Sequence, residues 1–212
     1  MNTKVSSLPN ARPARASQKA ATRQRVIVAA RNLFDTQGYQ GTTIRDIARD
    51  AGVAVGSVFT TFASKSEILS EVMEARTAPL YAELDRIMPH LRGPTVDCLR
   101  TLFAVHIQFE TQTARLFLAH IAAAYDWTVT SAARPFGRNA RLKAGIADCL
   151  EKGMESGDFR ADINVTDVVD LIMAAYAWTF RLVITEDADA PAMISVMDRQ
   201  IGLIVAGLSA RS

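Results

Sequence analysis

The chain has 212 residues, 49% of them hydrophobic and 7% aromatic, enough for one large domain or a small module on a larger one. Its formal net charge of +2 is unevenly spread. Residues 1–65 carry ten cations (Lys4, Arg12, Arg15, Lys19, Arg23, Arg25, Arg31, Arg45, Arg49 and Lys65) against Asp35, Asp46 and Asp50, so this third is +7 and the remainder −5. A basic head on an acidic body is the electrostatic outline of a small DNA-binding module joined to a body that does not bind DNA. The first twenty residues lack the apolar run of a secretory signal. The longest apolar stretch, residues 171–184, is broken by Arg181 and is shorter than the ~20 residues a bilayer span requires. These features point to a soluble, cytoplasmic protein with no membrane partner. Cys98 and Cys149 show no CxxC spacing and lie on apolar helical patterns, which reads as two separate buried thiols in a reducing compartment.

In chain order, residues 1–20 hold Pro9, Pro13 and four cations without an acid, which predicts a disordered basic arm. Such an arm is either a solubilising tail or a contact to DNA phosphates or the minor groove. From Ala21 onward apolar residues recur at three- and four-residue steps and no run alternates with period two, so helices are expected throughout. Val26, Ala30, Leu33 and Phe34 form the first stripe, closed by Gly38. Thr43 is placed to cap a second helix, with Asp46 in its first turn and Ile44, Ile47, Ala48 and Ala51 as its stripe, and Gly52 ends it. A short third helix carries Val55, Val58, Phe59 and Phe62. Ser64 and Glu67 have the spacing of a capping box that opens a fourth helix running to about Met88, with Pro79 as an expected kink. Five more helices are expected at 94–111, 114–127, 136–155, 165–185 and 191–208, separated by loop signals rich in Gly, Pro, Asp and Thr. The fold class is all-α with about nine helices.

Residues 44–62 have the chemistry of a helix-turn-helix. Gly52 tolerates the positive φ that the turn needs, Ala48 is small enough for two helices to cross closely, and Ile47, Val53 and Val58 fill the core they share. The second of these helices is short and leaves Ala54, Gly56 and Ser57 at its N-terminal end, where base edges are approached in a major groove. The flanks extend the pattern. Residues 22–39, Gly41-Thr-Thr-Ile-Arg-Asp-Ile-Ala48, Ala51-Gly-Val53, Gly56-Ser-Val-Phe-Thr-Thr-Phe62 and Ser64-Lys-Ser-Glu67 closely resemble the N-terminal domain of TetR-family (tetracycline-repressor-like) regulators over about a fifth of the chain.

The resemblance implies a three-helix DNA-binding domain at 21–65 and a helical effector-binding and dimerisation domain at 66–212, with the arm at 1–20. It implies that Thr43 caps the second helix and touches phosphate, that Arg45 reaches backbone or base, that Gly56 and Ser57 belong to the recognition helix, and that Lys65 contacts phosphate. Ala54, Val55, Phe59, Thr60 and Thr61 complete the expected DNA-facing set. The sequence also departs from the family pattern. Phe59-Thr60-Thr61-Phe62 stands where Tyr-x-His-Phe is common, so Phe59 has no phenolic donor and Thr61 is a short, neutral one; Val55 replaces a frequent lysine. The phosphate grip of this helix is therefore expected to be weaker, with Val55 and the Thr60 and Thr61 methyls available to thymine methyl groups.

A two-turn recognition helix reads few bases, so two heads ~34–36 Å apart on an inverted-repeat operator in double-stranded DNA are expected. The last two helices carry apolar residues on more than one face, among them Leu171, Tyr176, Met193 and Ile201, and the resemblance implies that they pair in a homodimer. For the middle of the chain it implies an effector pocket, with Phe103, His106, Phe109, Phe117, His120, Tyr125, Trp127 and Trp178 as the candidate lining for a small, mostly hydrophobic molecule. The function expected is a repressor released from its operator by that effector, with the fourth helix as lever. The alternative is a regulator of the same fold that senses no small molecule and acts as an activator or under a protein partner. No nucleophile–base pairing, phosphate-binding glycine loop or metal-ligand spacing is present, so neither an enzyme, a metal site nor a cofactor is expected.

Overall fold

The computed structural model describes residues 11–124 and 139–209, the side chains of 11–15 and 124 aside. Those residues are all-α, their only extended pairing being a single bridge between Phe159 and Ser209. They divide into two compact units that part at Val72 and Met73.

The first unit holds α1 (Ala11–Gly41), α2 (Ile44–Asp50), α3 (Val55–Phe59) and the opening turns of α4 (Lys65–Ile87). The helix expected from Ala21 begins at Ala11 instead, which takes the second half of the expected disordered arm into α1. The reason is local. Residues 11–21 are mostly Ala, Arg, Lys and Gln, all strong helix formers, and Pro13 falls in the first turn, where its missing N–H costs nothing. Residues 1–10 lie outside the described part. Gly38, at φ +75°, interrupts α1 where the sequence placed its cap. Val26, Ala29, Ala30 and Phe34 of α1 are buried together with Ile47, Ala48, Val58 and Phe62.

The second unit holds the rest of α4, then α5 (Thr95–Glu110), α6 (Ala114–Ala124), α7 (Ala140–Ser156), α8 (Val165–Thr179), α9 (Leu182–Thr185) and α10 (Ala190–Ala206). The helix expected over 165–185 is two pieces. Phe180 and Arg181 donate their N–H groups to Ala177 and Trp178, three residues back, which tightens the last turn and ends α8. In the same turn the Thr179 hydroxyl donates to the Ala175 carbonyl at 2.9 Å. Among the described residues, Val165–Thr185 is the stretch long and apolar enough to cross a membrane, and half of it is buried inside the protein.

Helix α5 is the axis of this unit, packed on α7 along one side and α10 along another. Its Leu99, Leu102, Phe103 and Ile107 are buried with Leu142, Ile146 and Leu150 of α7 and Met193, Met197 and Ile201 of α10. The Asp158 carboxylate fixes its N-terminus, accepting from the Thr95 N–H at 3.1 Å and hydroxyl at 2.7 Å, and these bonds hold the carboxyl below its usual range. Helix α7 ends at Gly157, whose φ of +82° makes the left-handed cap. Four residues earlier, a Cβ on Gly153 would lie 2.2 Å from the buried Phe159 ring, so the helix and that ring meet only because the side chain is absent. Gly153→Ala is therefore expected to destabilise the fold by about 1–3 kcal/mol through overpacking, read as a lower urea midpoint at unchanged slope; an unchanged midpoint would contradict the contact.

Candidate nucleic-acid interface and effector site

The first unit builds a rigid turn before it builds a surface. Thr43 Oγ1 accepts from the Asp46 N–H and Asp46 Oδ2 accepts from the Thr43 N–H, both at 3.2 Å, a reciprocal cap that fixes the start of α2. The Thr43 hydrogen bonds, with Arg49 adding less, hold the Asp46 carboxyl below its usual range. At the far end of α2, Gly52 takes φ +62° while its N–H bonds Arg49 O and that of Val53 bonds Ala48 O at 3.0 Å. With Ile47, Ala48 and Val58 buried beneath, α3 has one orientation. Its outer face presents Ala54, Val55, Gly56, Phe59 and Thr60, with Ser57 half-buried, and Phe59 is 57% exposed. Nothing lies within 4 Å of a Cβ placed on Gly56, so internal packing does not require the glycine there.

Three residues of the expected DNA-facing set, Thr60, Thr61 and Lys65, also make hydrogen bonds within the head. The hydroxyls of Thr60 and Thr61 both donate to Ser57 O, at 3.0 and 2.8 Å, so their single protons are engaged inside the turn and their methyls are the groups left to offer. Lys65 Nζ donates to Tyr39 O and Thr42 O at 2.9 Å each and rests 4.3 Å from the Tyr39 ring centroid. Two of its three N–H groups thus fasten α4 to the end of α1, and partial burial lowers its pKa. Arg45 is exposed on α2. The expected box at α4 is present in modified form: Ser64 Oγ accepts from the Glu67 N–H, and the Glu67 carboxylate reaches back to the Ala63 N–H.

Within the second unit, Arg76 of α4 and Glu110 of α5 meet at 2.6 Å, their side chains 11% and 3% exposed. Arg76 also donates to Phe109 O at 3.2 Å and stacks 4.4 Å from the Phe109 ring centroid. Beside them, Phe103, His106 and Phe117 surround Tyr176, with centroids 5.1, 6.2 and 5.8 Å from its ring. Phe180 closes the cluster 4.4 Å from Phe117. The Tyr81 hydroxyl donates to Asn139 Oδ1, its ring lies 5.6 Å from His106, and burial pushes its pKa up to about 12. Burial drives the His106 pKa down to about 4, so the ring is neutral near pH 7. His106 Nε2 and the Tyr176 hydroxyl are buried and have no hydrogen-bond partner among the described residues. A buried polar atom left without a partner costs about 1–3 kcal/mol. An open groove of about 520 Å³ is lined by Phe109 together with Pro79, Leu80, Glu83, Gln108 and Ile194.

Residues 26–72, from the buried stripe of α1 to the first turns of α4, match the bacterial regulatory proteins of the tetR family. That segment carries the DNA-binding domain of TetR-family transcriptional regulators. The chain is 26% identical over 169 residues to the transcriptional repressor KstR2 of Mycolicibacterium smegmatis, covering 76% of this chain and 78% of the relative. Over 70 residues it is 44% identical to the regulator SrpR of Pseudomonas putida, covering 33% of this chain and 32% of that one. In fold it is similar to FadR of Thermus thermophilus, a TetR-family repressor solved with lauroyl-CoA, at a TM-score of 0.76 and 24% identity, covering 90% and 96% of the two chains.

Of the side chains expected to line the pocket, Phe103, His106 and Phe117 come together around Tyr176, while Phe109 stacks on Arg76. His120 is half-buried on α6, with its pKa lowered to about 4 by burial. Trp178 does not join them. It is 63% exposed, because a residue two positions from Tyr176 on a helix points to nearly the opposite face. Tyr125 and Trp127 lie outside the described residues. Arg76, Tyr81, Glu110, Tyr176 and Phe180 were not expected in the site. A signal existed for the ion pair: Arg76 interrupts the apolar spacing Met73, Leu80, Leu84, and Glu110 ends the apolar face that runs through Leu102, Phe103, His106 and Ile107.

Burial raises the Glu110 carboxyl from 4.5 to about 7, with Arg76 pulling the other way. The folded state therefore holds a proton that the unfolded chain has already released between those values, and the stability this confers is full below 4.5 and lost as pH rises through 7. Relative to Glu110→Gln, which cannot ionise, the wild type is expected to lose at most about 3 kcal/mol of stability across that window. Urea titrations of both proteins at stepped pH check it, and a constant difference would contradict the assignment.

Proposed function

We propose that this protein is a homodimeric TetR-family repressor that leaves an inverted-repeat operator when a small, mostly hydrophobic effector with a polar group binds its second domain. The observation that carries the reading is the buried aromatic cluster with two orphaned polar atoms, His106 Nε2 and the Tyr176 hydroxyl, beside the Arg76–Glu110 pair. The effector's polar group satisfies those atoms while its apolar part takes the place of aromatic packing. Similarity to a repressor solved with lauroyl-CoA makes acyl-CoA thioesters the first class to test.

DNA is held by the domain at 21–65. Thr43, Arg45 and the remaining N–H of Lys65 serve phosphates, and the Ala54–Thr61 surface serves the groove, with Val55, Phe59, Thr60 and Thr61 offering apolar contacts to thymine methyls. Five helical residues in α3 are too few to select a site alone, which favours two copies. The dimer surface is formed by the outer faces of α8 and α10 in the domain at 66–212, where Leu171, Trp178 and Leu203 are 55%, 63% and 77% exposed. The protein acts in the cytoplasm on double-stranded DNA. The effector works by population shift, binding more tightly to the state that fits the operator poorly.

The test is fluorescence anisotropy of an operator duplex with full-length protein, titrated with lauroyl-CoA and a panel of shorter and longer acyl-CoA esters. At least a tenfold loss of operator affinity is expected for one of them, and Tyr176→Phe should blunt that response while leaving ligand-free affinity intact. Operator affinity constant within twofold across acyl-CoA esters, free fatty acids and aromatic acids would leave a regulator that small molecules of this class do not control.

A further inference from the structure

The two cysteines, 51 positions apart in sequence, are neighbours in the fold. Cys98 lies in the first turns of α5 and Cys149 near the middle of α7, and the Cys149 thiol donates to Cys98 Sγ at 2.8 Å. One turn along the same contact, Gly145 of α7 faces the Leu102 methyls, so α5 and α7 run antiparallel here and the absent side chain lets them approach closely. The two sulfurs are unequal. Cys98 is partly exposed and Cys149 is 1% exposed. The hydrogen bond from Cys149, helped by Lys152, draws the Cys98 thiol down to about 7 against the opposing effect of burial, while Cys149 is pushed up. A thiolate that an oxidant can reach, in contact with a protonated thiol it cannot, is the arrangement in which oxidation proceeds in a fixed order.

We propose that Cys98 and Cys149 are a reversible dithiol–disulfide couple closed by peroxides, with Cys98 the attacking and Cys149 the resolving sulfur. The Cys98 thiolate attacks one peroxide oxygen, the O–O bond breaks, and with one proton the products are a Cys98 sulfenic acid and one water (or an alcohol from an alkyl peroxide). The Cys149 sulfur then attacks the sulfenic sulfur. The S–S bond forms, and hydroxide leaves with the Cys149 proton as a second water. The dithiol gives up two electrons and the peroxide accepts them. The bond would lock α5, which carries His106 and Glu110, to α7. Closing the sulfurs to the ~2.05 Å of a disulfide asks for less than 1 Å of relative movement.

The test uses the full-length protein, reduced, freed of reductant and exposed to hydrogen peroxide, followed by catalase, thiol counting under denaturing conditions, and mass spectrometry of a non-reducing digest. The expected result is loss of both thiols, a mass decrease of about 2 Da, one cross-linked peptide pair containing Cys98 and Cys149 within a single chain, and full recovery with dithiothreitol. Cys149→Ala should stop at a Cys98 sulfenic acid trapped by dimedone, and Cys98→Ala should keep its remaining thiol. Persistence of both thiols, over-oxidation of Cys98 with Cys149 still reduced, or disulfides joining separate chains would each overturn the proposal, and all three are read on the wild type.

Discussion

Arg76 and Glu110 are the constraint around which the second domain is organised. Taking two opposite charges out of water costs several kcal/mol each, and their attraction repays this only when the geometry is tight and the leftover hydrogen-bonding capacity is used. Here the contact is 2.6 Å and the guanidinium's further donor goes to Phe109 O. Burial outweighs the arginine at the carboxyl all the same, holding its pKa about 7. A core built for stability alone would have hydrophobic residues in both places. Retaining a nearly balanced proton beside the orphaned His106 and Tyr176 atoms makes sense for a site whose polar demands are met by a visitor.

The head solves a different problem. Five residues of α3 must be presented without wobble, and the chain achieves this almost entirely with backbone chemistry: the reciprocal Thr43–Asp46 cap, the left-handed Gly52, and a core of small and branched residues beneath. Lys65 completes the frame from outside, gathering two carbonyls at the end of α1 and so tying the start of α4 to it. The exposed surface that results is unusually apolar for a protein that reads DNA, with Val55 and Phe59 where donors to phosphate would be expected. In the proposed reading, affinity rests on the basic surround and on doubling the head, and specificity on methyl contacts and groove shape.

What could be read in the sequence was what local chemistry decides. The caps at Thr43 and Ser64, the turn at Gly52 and the span of α5 depend on residues a few positions apart, and the sequence placed them to within a residue or two. The start of α1 was missed because Pro13 and the cations read as disorder while the helix propensity of their neighbours ran the other way. The break after Thr179 depends on hydrogen bonds three residues back that periodicity does not register. The site itself was half legible: aromatics on α5 and α6 could be named, but Arg76 with Glu110, 34 positions apart, and Cys98 with Cys149 become pairs only when helices pack. Trp178 was assigned by residue type, and helical geometry sends it to the other face from Tyr176.

The central claim is that this chain reads a specific DNA sequence as a dimer. The most direct measurement is to equilibrate purified protein with a pool of fragments of its source genome at two salt concentrations and sequence what is retained. Enrichment of an inverted repeat with half-sites about one helical turn apart is expected, with affinity that falls steeply as salt rises because cations on each head displace counterions from phosphate. Retention without any enriched sequence, or no retention at the lower salt, would contradict it and leave a TetR-family fold whose head does not select DNA.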